Sequence, residues 1–165
     1  MSMDYVVTAI ADDEVDATKA PTTISIEAGM KESFVEGVLD DKNFMFLGKK
    51  TAQRDELFLF AMALGWRNRL STELDKPCSG GFIRTSSFSS QMVSMIDLIH
   101  FAESEFKTPN VLRDHKESYR MAERYANGGL HLLRGEMDDV SVDSETFANS
   151  LIEEMDEMFS EYFGE

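Results

Sequence analysis

The sequence predicts a mainly α fold: a compact single-domain bundle of about five helices with a few short extended segments. Three observations predict it. Apolar residues recur at helical spacing in five separate stretches, whereas strand-like runs are few and short. A chain of 165 residues fits one domain and buries about two-thirds of the surface its unfolded form exposes. With 42% hydrophobic and 28% charged residues it has a globular composition, too apolar for a disordered chain, and it needs neither metal nor disulfide to hold it.

Residues 1–23 read as an N-terminal arm, in which a β-prone run, Tyr5 to Ile10, leads into an acidic stretch and Lys19-Ala20-Pro21-Thr22-Thr23. The helical domain, 24–165, follows. Met30, Phe34, Val35, Val38 and Leu39 fall at i, i+4, i+5, i+8 and i+9, which predicts an amphipathic helix from about Ala28 to Asp40. Asn43 to Leu47, ended by Gly48, suits a brief strand or a buried extended segment. Thr51 as N-cap, Asp55 and Glu56 in the first turn and Gly65 as a left-handed terminator then frame a helix over Ala52 to Leu64. Leu57 to Leu64 are apolar on every face, so this helix belongs inside the domain.

From Arg67 to Thr85 the chain turns polar and carries Pro77 and Gly80-Gly81, which predicts a long loop with a short strand at Phe82 to Arg84. Ser87 or Ser89 caps the next helix, whose stripe of Met92, Val93, Ile96, Ile99 and Phe101 runs through Ala102. Thr108-Pro109 has the pattern of another helix start. Beyond it, Tyr119, Met121, Ala122 and Tyr125 approach Gly128-Gly129, where two readings compete. Consecutive glycines cost a helix about 1 kcal/mol each against alanine, yet Tyr125, Gly129, Leu132 and Leu133 keep the stripe of an unbroken helix. The unbroken helix is favoured, with Gly128 and Gly129 as close-packing positions where a neighbouring backbone approaches. In the last helix, from about Ser144 to Tyr162, Phe147, Leu151, Ile152, Met155, Met158, Phe159, Tyr162 and Phe163 form one stripe and carboxylates occupy the rest. The stripe is expected to dock on the same core, with a partner or a second copy of the chain as the competing occupants.

The net charge of −15 is unevenly spread. Residues 1–23 carry five acidic side chains against Lys19, and residues 24–135 carry 15 acidic and 15 basic ones. From Glu136 onward there are 11 acidic residues and no Lys or Arg. Such a field repels bare nucleic acid and anionic membrane and attracts basic surfaces; solubility, or a salty cytoplasm, is the bland explanation. Cys78 is the single cysteine, no run approaches the roughly 18 apolar residues of a membrane span, and the N-terminus lacks the flank and core of a secretory signal. A soluble cytoplasmic protein is expected.

No catalytic residue, metal ligand or cofactor site emerges. Asp97 and His100 share a helical face at i, i+3 as in carboxylate-bridged metal sites, but the matching second pair is missing. Gly48-Lys49-Lys50-Thr51 lacks the upstream glycine and the Lys-Ser/Thr order of a phosphate loop, and the serines at 86, 87, 89 and 90 have no Gly-x-Ser-x-Gly elbow. One basic constellation invites a contact role: Lys49, Lys50 and Arg54 at the start of the central helix, Arg67 and Arg69 past its end, and Arg84 in the following loop. Cations at a helix N-terminus oppose its dipole, so phosphate groups or a partner's acidic segment would favour them, while pairing with this chain's own carboxylates is the plainer alternative.

Arg54-Asp55-Glu56-Leu57-Phe58-Leu59-Phe60-Ala61-Met62-Ala63-Leu64-Gly65-Trp66-Arg67 resembles the Arg-Asp, apolar, Phe-Ala-Ala-x-Leu-Gly signature of the DNA phosphorothioation (Dnd) system-associated protein 4 family. Tyr125-Ala126-Asn127-Gly128-Gly129-Leu130, with Leu132 and Leu133, is similar to that family's Tyr-Ala-Asn-Gly-Gly-Leu stretch, and Ile96 to Glu103 resembles its apolar helix ending in Ala-Glu. The resemblance covers about 30–135, so the N-terminal arm and the acidic C-terminal helix, about 144–163, read as additions. It implies a small protein encoded beside DNA sulfur-modification genes and in anti-phage defence loci.

The expected function is therefore that of a non-enzymatic accessory or regulatory protein of a DNA-modification or phage-defence system, acting through protein contacts. Its partner would present a basic surface to Glu153, Glu154, Asp156, Glu157 and Glu161, with Arg67, Arg69 and Arg84 as a second contact. Direct nucleic-acid or membrane binding is not expected. Two alternatives remain: an acidic DNA mimic that inhibits a nuclease or restriction enzyme, and a DNA-binding regulator reading bases from the Asn43 to Leu47 strand, for which Phe44, Met45 and Phe46 are poor base readers.

Overall fold

A computed structural model of the chain describes residues 19–40, 53–104, 114–138 and 144–163, and among these the fold is mainly helical. In order come strand β1, Thr23–Ile24, and helix α1, assembled from Ala28–Met30, a π-helical stretch Lys31–Val35 and Glu36–Asp40. Helix α2 spans Arg54–Arg67, strand β2 Ile83–Arg84, a 3₁₀ turn Thr85–Ser87, helix α3 Ser90–Glu103, helix α4 His115–Asp138 and helix α5 Ser144–Phe163. The expected strands at Tyr5 to Ile10 and Asn43 to Leu47 and the helix start at Thr108-Pro109 lie outside the described residues.

β1 pairs antiparallel with β2, Thr23 opposite Arg84 and Ile24 opposite Ile83. The pairing continues toward α1 through Cys78 N–H to Ile26 O (3.0 Å) and Ala28 N–H to Lys76 O (2.8 Å). Ile24 and Ile26 are fully buried on either side of the half-buried Ser25, the period-two pattern of a strand with one face on the core. In α1 the buried residues are Met30, Val35 and Val38. Five residues make little more than one turn of π-helix, so the π stretch brings Met30 and Val35 to one side, where an α-helix would splay them.

In α2, Leu57, Phe58, Ala61, Met62, Leu64 and Gly65 are buried, while Leu59, Phe60 and Ala63 are half-buried. Both of its ends differ from expectation. Its N-cap is Gln53, which forms a reciprocal capping box with Glu56, so the helix begins at Arg54 and not at Ala52. At the other end the helix runs through Gly65 to Arg67; Asn68 caps it with Nδ2 donating to Leu64 O at 2.8 Å, and Arg69 takes the left-handed conformation, φ 56°. Gly65 is thus an interior residue whose missing side chain serves packing instead of termination.

α4 runs without a break through Gly128 and Gly129. A Cβ on Gly129 would collide with the Ala61 carbonyl of α2, and one on Gly128 would collide with the Leu70 carbonyl of the loop after α2. The adjacent glycines therefore admit two different backbones. The same loop is tied down by Asn127, buried in α4, whose Nδ2 donates to Thr72 O (3.3 Å) and Glu73 O (3.2 Å), and by Thr72 N–H to Arg124 O (3.1 Å). Ser89 caps α3, accepting from Met92 N–H at 3.3 Å, and Ile96, Ile99 and His100 face inward.

Among the described side chains of α5, those at its beginning dock on the core. Phe147 is buried and Leu151 packs against the core, but Ile152 and Met155 are 53% and 64% exposed. The expectation that the whole stripe covers the core fails at these two positions, which line an open groove beside α2. The side chains of Met158, Phe159, Tyr162 and Phe163 lie outside the description.

Candidate functional site

The described part of α5 exposes Glu153, Glu154, Asp156 and Glu157 within five positions. Glu153, Asp156 and Glu157 are exposed and, among the described residues, form no ion pair. Glu154 differs: its Oε2 lies 2.7 Å from Nη2 of Arg67 at the end of α2. The side chain of Glu161 is outside the description. Two residues assigned to partner contact thus meet each other, which is possible because the first turns of α5 lie beside α2 through Phe60, Ala63, Leu64, Ala148 and Leu151.

Arg69 is engaged as well. Its Nη1 lies 3.0 Å from Glu103 Oε1 at the end of α3, the same oxygen that accepts the Trp66 Nε1–H at 2.8 Å, and its guanidinium sits 5.7 Å from the Trp66 ring centroid. Arg67 and Arg69 accordingly serve this chain's own carboxylates. Arg84 stands apart: it is exposed and, among the described residues, has no carboxylate at ion-pair distance. With Arg54, Asp55, Gly80 and Gly81 it lines an open cavity of about 740 Å³, where the Arg54 guanidinium lies 5.5 Å from the Phe82 ring. Lys49 and Lys50 lie outside the described residues.

The residues nearest to catalytic chemistry form a structural contact. His100 Nδ1 and Ser118 Oγ are 2.7 Å apart, joining α3 to α4, but Ser118 is fully buried and also donates to Asp114 O at 3.1 Å. No substrate reaches such a hydroxyl. Asp97 lies close enough to feel His115 and His100; burial raises its carboxyl above the ordinary value and the two histidines pull it back in part. Its Oδ1 is buried and, among the described residues, has no hydrogen-bond partner. Burial likewise raises Glu123, opposed by the hydrogen bond it accepts from the Ser25 N–H and by Arg120. Among the described residues no group of three or more His, Cys, Asp or Glu could hold a metal ion, and no helix is long and apolar enough to cross a membrane.

Sequence reasoning missed the His100 to Ser118 pair and the convergence of Trp66 and Arg69 on Glu103. The second had a signal, since each partner lies in or beside a segment carrying the family resemblance. Those three segments converge: Gly65 of the first touches Tyr125 and Gly129 of the second, and Trp66 reaches Glu103 of the third. What they encode is the crossing of α2 with α4 and its closure by α3.

The comparisons agree with that pattern. The family model described as DNA sulphur modification system-associated protein 4 matches residues 40–162. The match includes the acidic C-terminal helix, so that helix is part of the family pattern and not an addition to it, and it leaves out the N-terminal arm and nearly all of α1. No curated protein and no solved structure matches this chain. With most of its length matched, and with the segments that carry the likeness packed against one another, the chain belongs to the DNA sulphur modification system-associated protein 4 family.

Proposed function

We propose that this protein is a non-enzymatic accessory or regulatory component of a DNA-modification and anti-phage defence system, working in the cytoplasm through protein contacts. One observation carries the reading: the exposed carboxylates Glu153, Asp156 and Glu157 stand on a helix whose neighbouring apolar residues, Ile152 and Met155, are also open to solvent. Solubility alone accounts for charge, but it does not account for charge bordering exposed large apolar side chains, the composition of a contact surface with a polar rim. The partner presents Lys and Arg, and bare duplex DNA is repelled because its nonspecific binding needs cations on the protein side.

Glu153→Gln, Asp156→Asn, Glu157→Gln and Glu161→Gln together remove four charges while leaving the Arg67–Glu154 pair in place. Co-purification with sulphur-modification proteins from the native cell should weaken as salt rises and be lost in this variant, with the melting temperature preserved. Retention of the same partners by the folded variant returns the face to a solubilising role. If the protein instead competes with DNA for a nuclease or restriction enzyme, the carboxylate array acts as a DNA mimic, the second reading.

A further inference from the structure

A groove lies open between α2 and α5, and its walls are two stripes of the same period. Phe60, Ala63, Leu64 and Arg67 face Ala148, Leu151, Ile152 and Met155. Each set runs i, i+3, i+4, i+7, two helical turns or about 10 Å of wall. The cavity between them measures about 450 Å³ and is apolar save at the end where Glu154 neutralises Arg67. Along α5 beside the groove, the exposed charged residues at 153, 156 and 157 are all acidic: Asp156 continues the row of Ile152 one turn further on, flanked in sequence by Glu153 and Glu157.

We infer that this groove is the docking site for a short amphipathic helix of a partner protein, one with apolar residues at i, i+3 or i+4, and i+7 and with Lys or Arg flanking them. Two matched apolar stripes separated by a cleft are the surface into which a third helix packs its own ridge. The rim selects the flanks, since cations meet Glu153, Asp156 and Glu157 there. It also rejects a second copy of α5, which would bring its own carboxylates against them. The inference rests on the protein-contact reading and names the shape of the partner's segment.

The probe is a fluorescein-labelled peptide of about 14 residues, four turns of helix, with Leu at helical spacing and Lys elsewhere. Its controls are a scrambled peptide of the same composition and a twin with Glu for Lys. Against the full chain the amphipathic Lys peptide should bind with an affinity that falls with salt, and both controls should bind at least about tenfold more weakly. Methyl resonances of Ile152 and Met155 should shift during the titration, an observation that needs no variant. Ile152→Ser with Met155→Ser should lower the affinity at least about tenfold, as loss of central apolar anchors does. Equal binding of the scrambled peptide, or methyl resonances that stay in place, overturns the inference. A partner lost from the charge variant but kept by the Ile152→Ser, Met155→Ser variant removes the groove alone, whereas a partner kept by the charge variant removes the protein-contact reading itself.

Discussion

Gly65 and Gly129 face each other where α2 crosses α4: a Cβ on Gly129 would lie 3.0 Å from the Gly65 nitrogen, and one on Gly65 would lie 2.9 Å from the Gly129 nitrogen. Neither helix can rotate the obstruction away, because each obstructing atom is backbone. Gly129→Leu should therefore cost about 3 kcal/mol or more in urea unfolding. Gly135 is the internal control, as nothing lies within 4 Å of its Cβ position, and Gly135→Ala should stabilise the same helix by about 0.5–1 kcal/mol. Equal effects at the two positions would show that helix propensity, and not the crossing, governs Gly129.

The attachment of α5 separates into an apolar and an ionic part. Phe147 is buried, so Phe147→Ala should destabilise by about 3 kcal/mol and release the start of the helix. The Arg67–Glu154 pair is partly exposed on both sides, so Glu154→Gln should change stability by less than about 1 kcal/mol. Thermal melts of the two variants, with amide exchange in α5, check the division.

Ser118→Ala leaves the buried His100 Nδ1 without its partner and should cost about 1–3 kcal/mol. Denaturant unfolding measures this. A stability unchanged by the substitution would mean that water or a rotated ring satisfies His100.

Asp97 makes stability depend on pH in a direction opposite to that of an ion-paired carboxylate. Burial holds its folded pKa above 3.8, with His115 and then His100 opposing. Between the two values the folded state binds more protons than the unfolded chain, so this site's contribution improves as pH falls through the raised pKa and is complete below 3.8. Asp97→Asn should be more stable than the parent at neutral pH, and the difference should close as pH falls through that window. Urea melts across the range test the sign, and a gap that widens toward acid would refute it.

Helical periodicity made much of this fold legible. The stripes in α3, α4 and α5 and the apolar surround of α2 state which faces are apolar, and the burial of Ile96, Leu133, Phe147 and Phe58 follows from them. Periodicity does not say which neighbour lies across a face. Gly65 shows why: a terminating glycine and a crossing glycine look alike in sequence, since both use the absence of a side chain, and only the arrival of α4 distinguishes them. Arg67 and Glu154 are 87 positions apart in a chain with 31 acidic residues, so composition could predict that Arg67 would find a carboxylate but not which one. Arg69 and Glu103 illustrate the same limit, resolved only in the fold, where Arg69 and Trp66 both donate to one Glu103 oxygen.

The span of family similarity and the span that folds do not coincide. Ile24, Ile26, Met30, Val35 and Val38 all precede residue 40, where the match begins, yet each is buried in the core with residues that follow it. A relative that shared only the matched span would have to fill their place from a different leading segment or from another subunit, or else leave an oily face bare. Trimming this chain at residue 40 would likewise strip those five side chains from the core and expose the surfaces they cover.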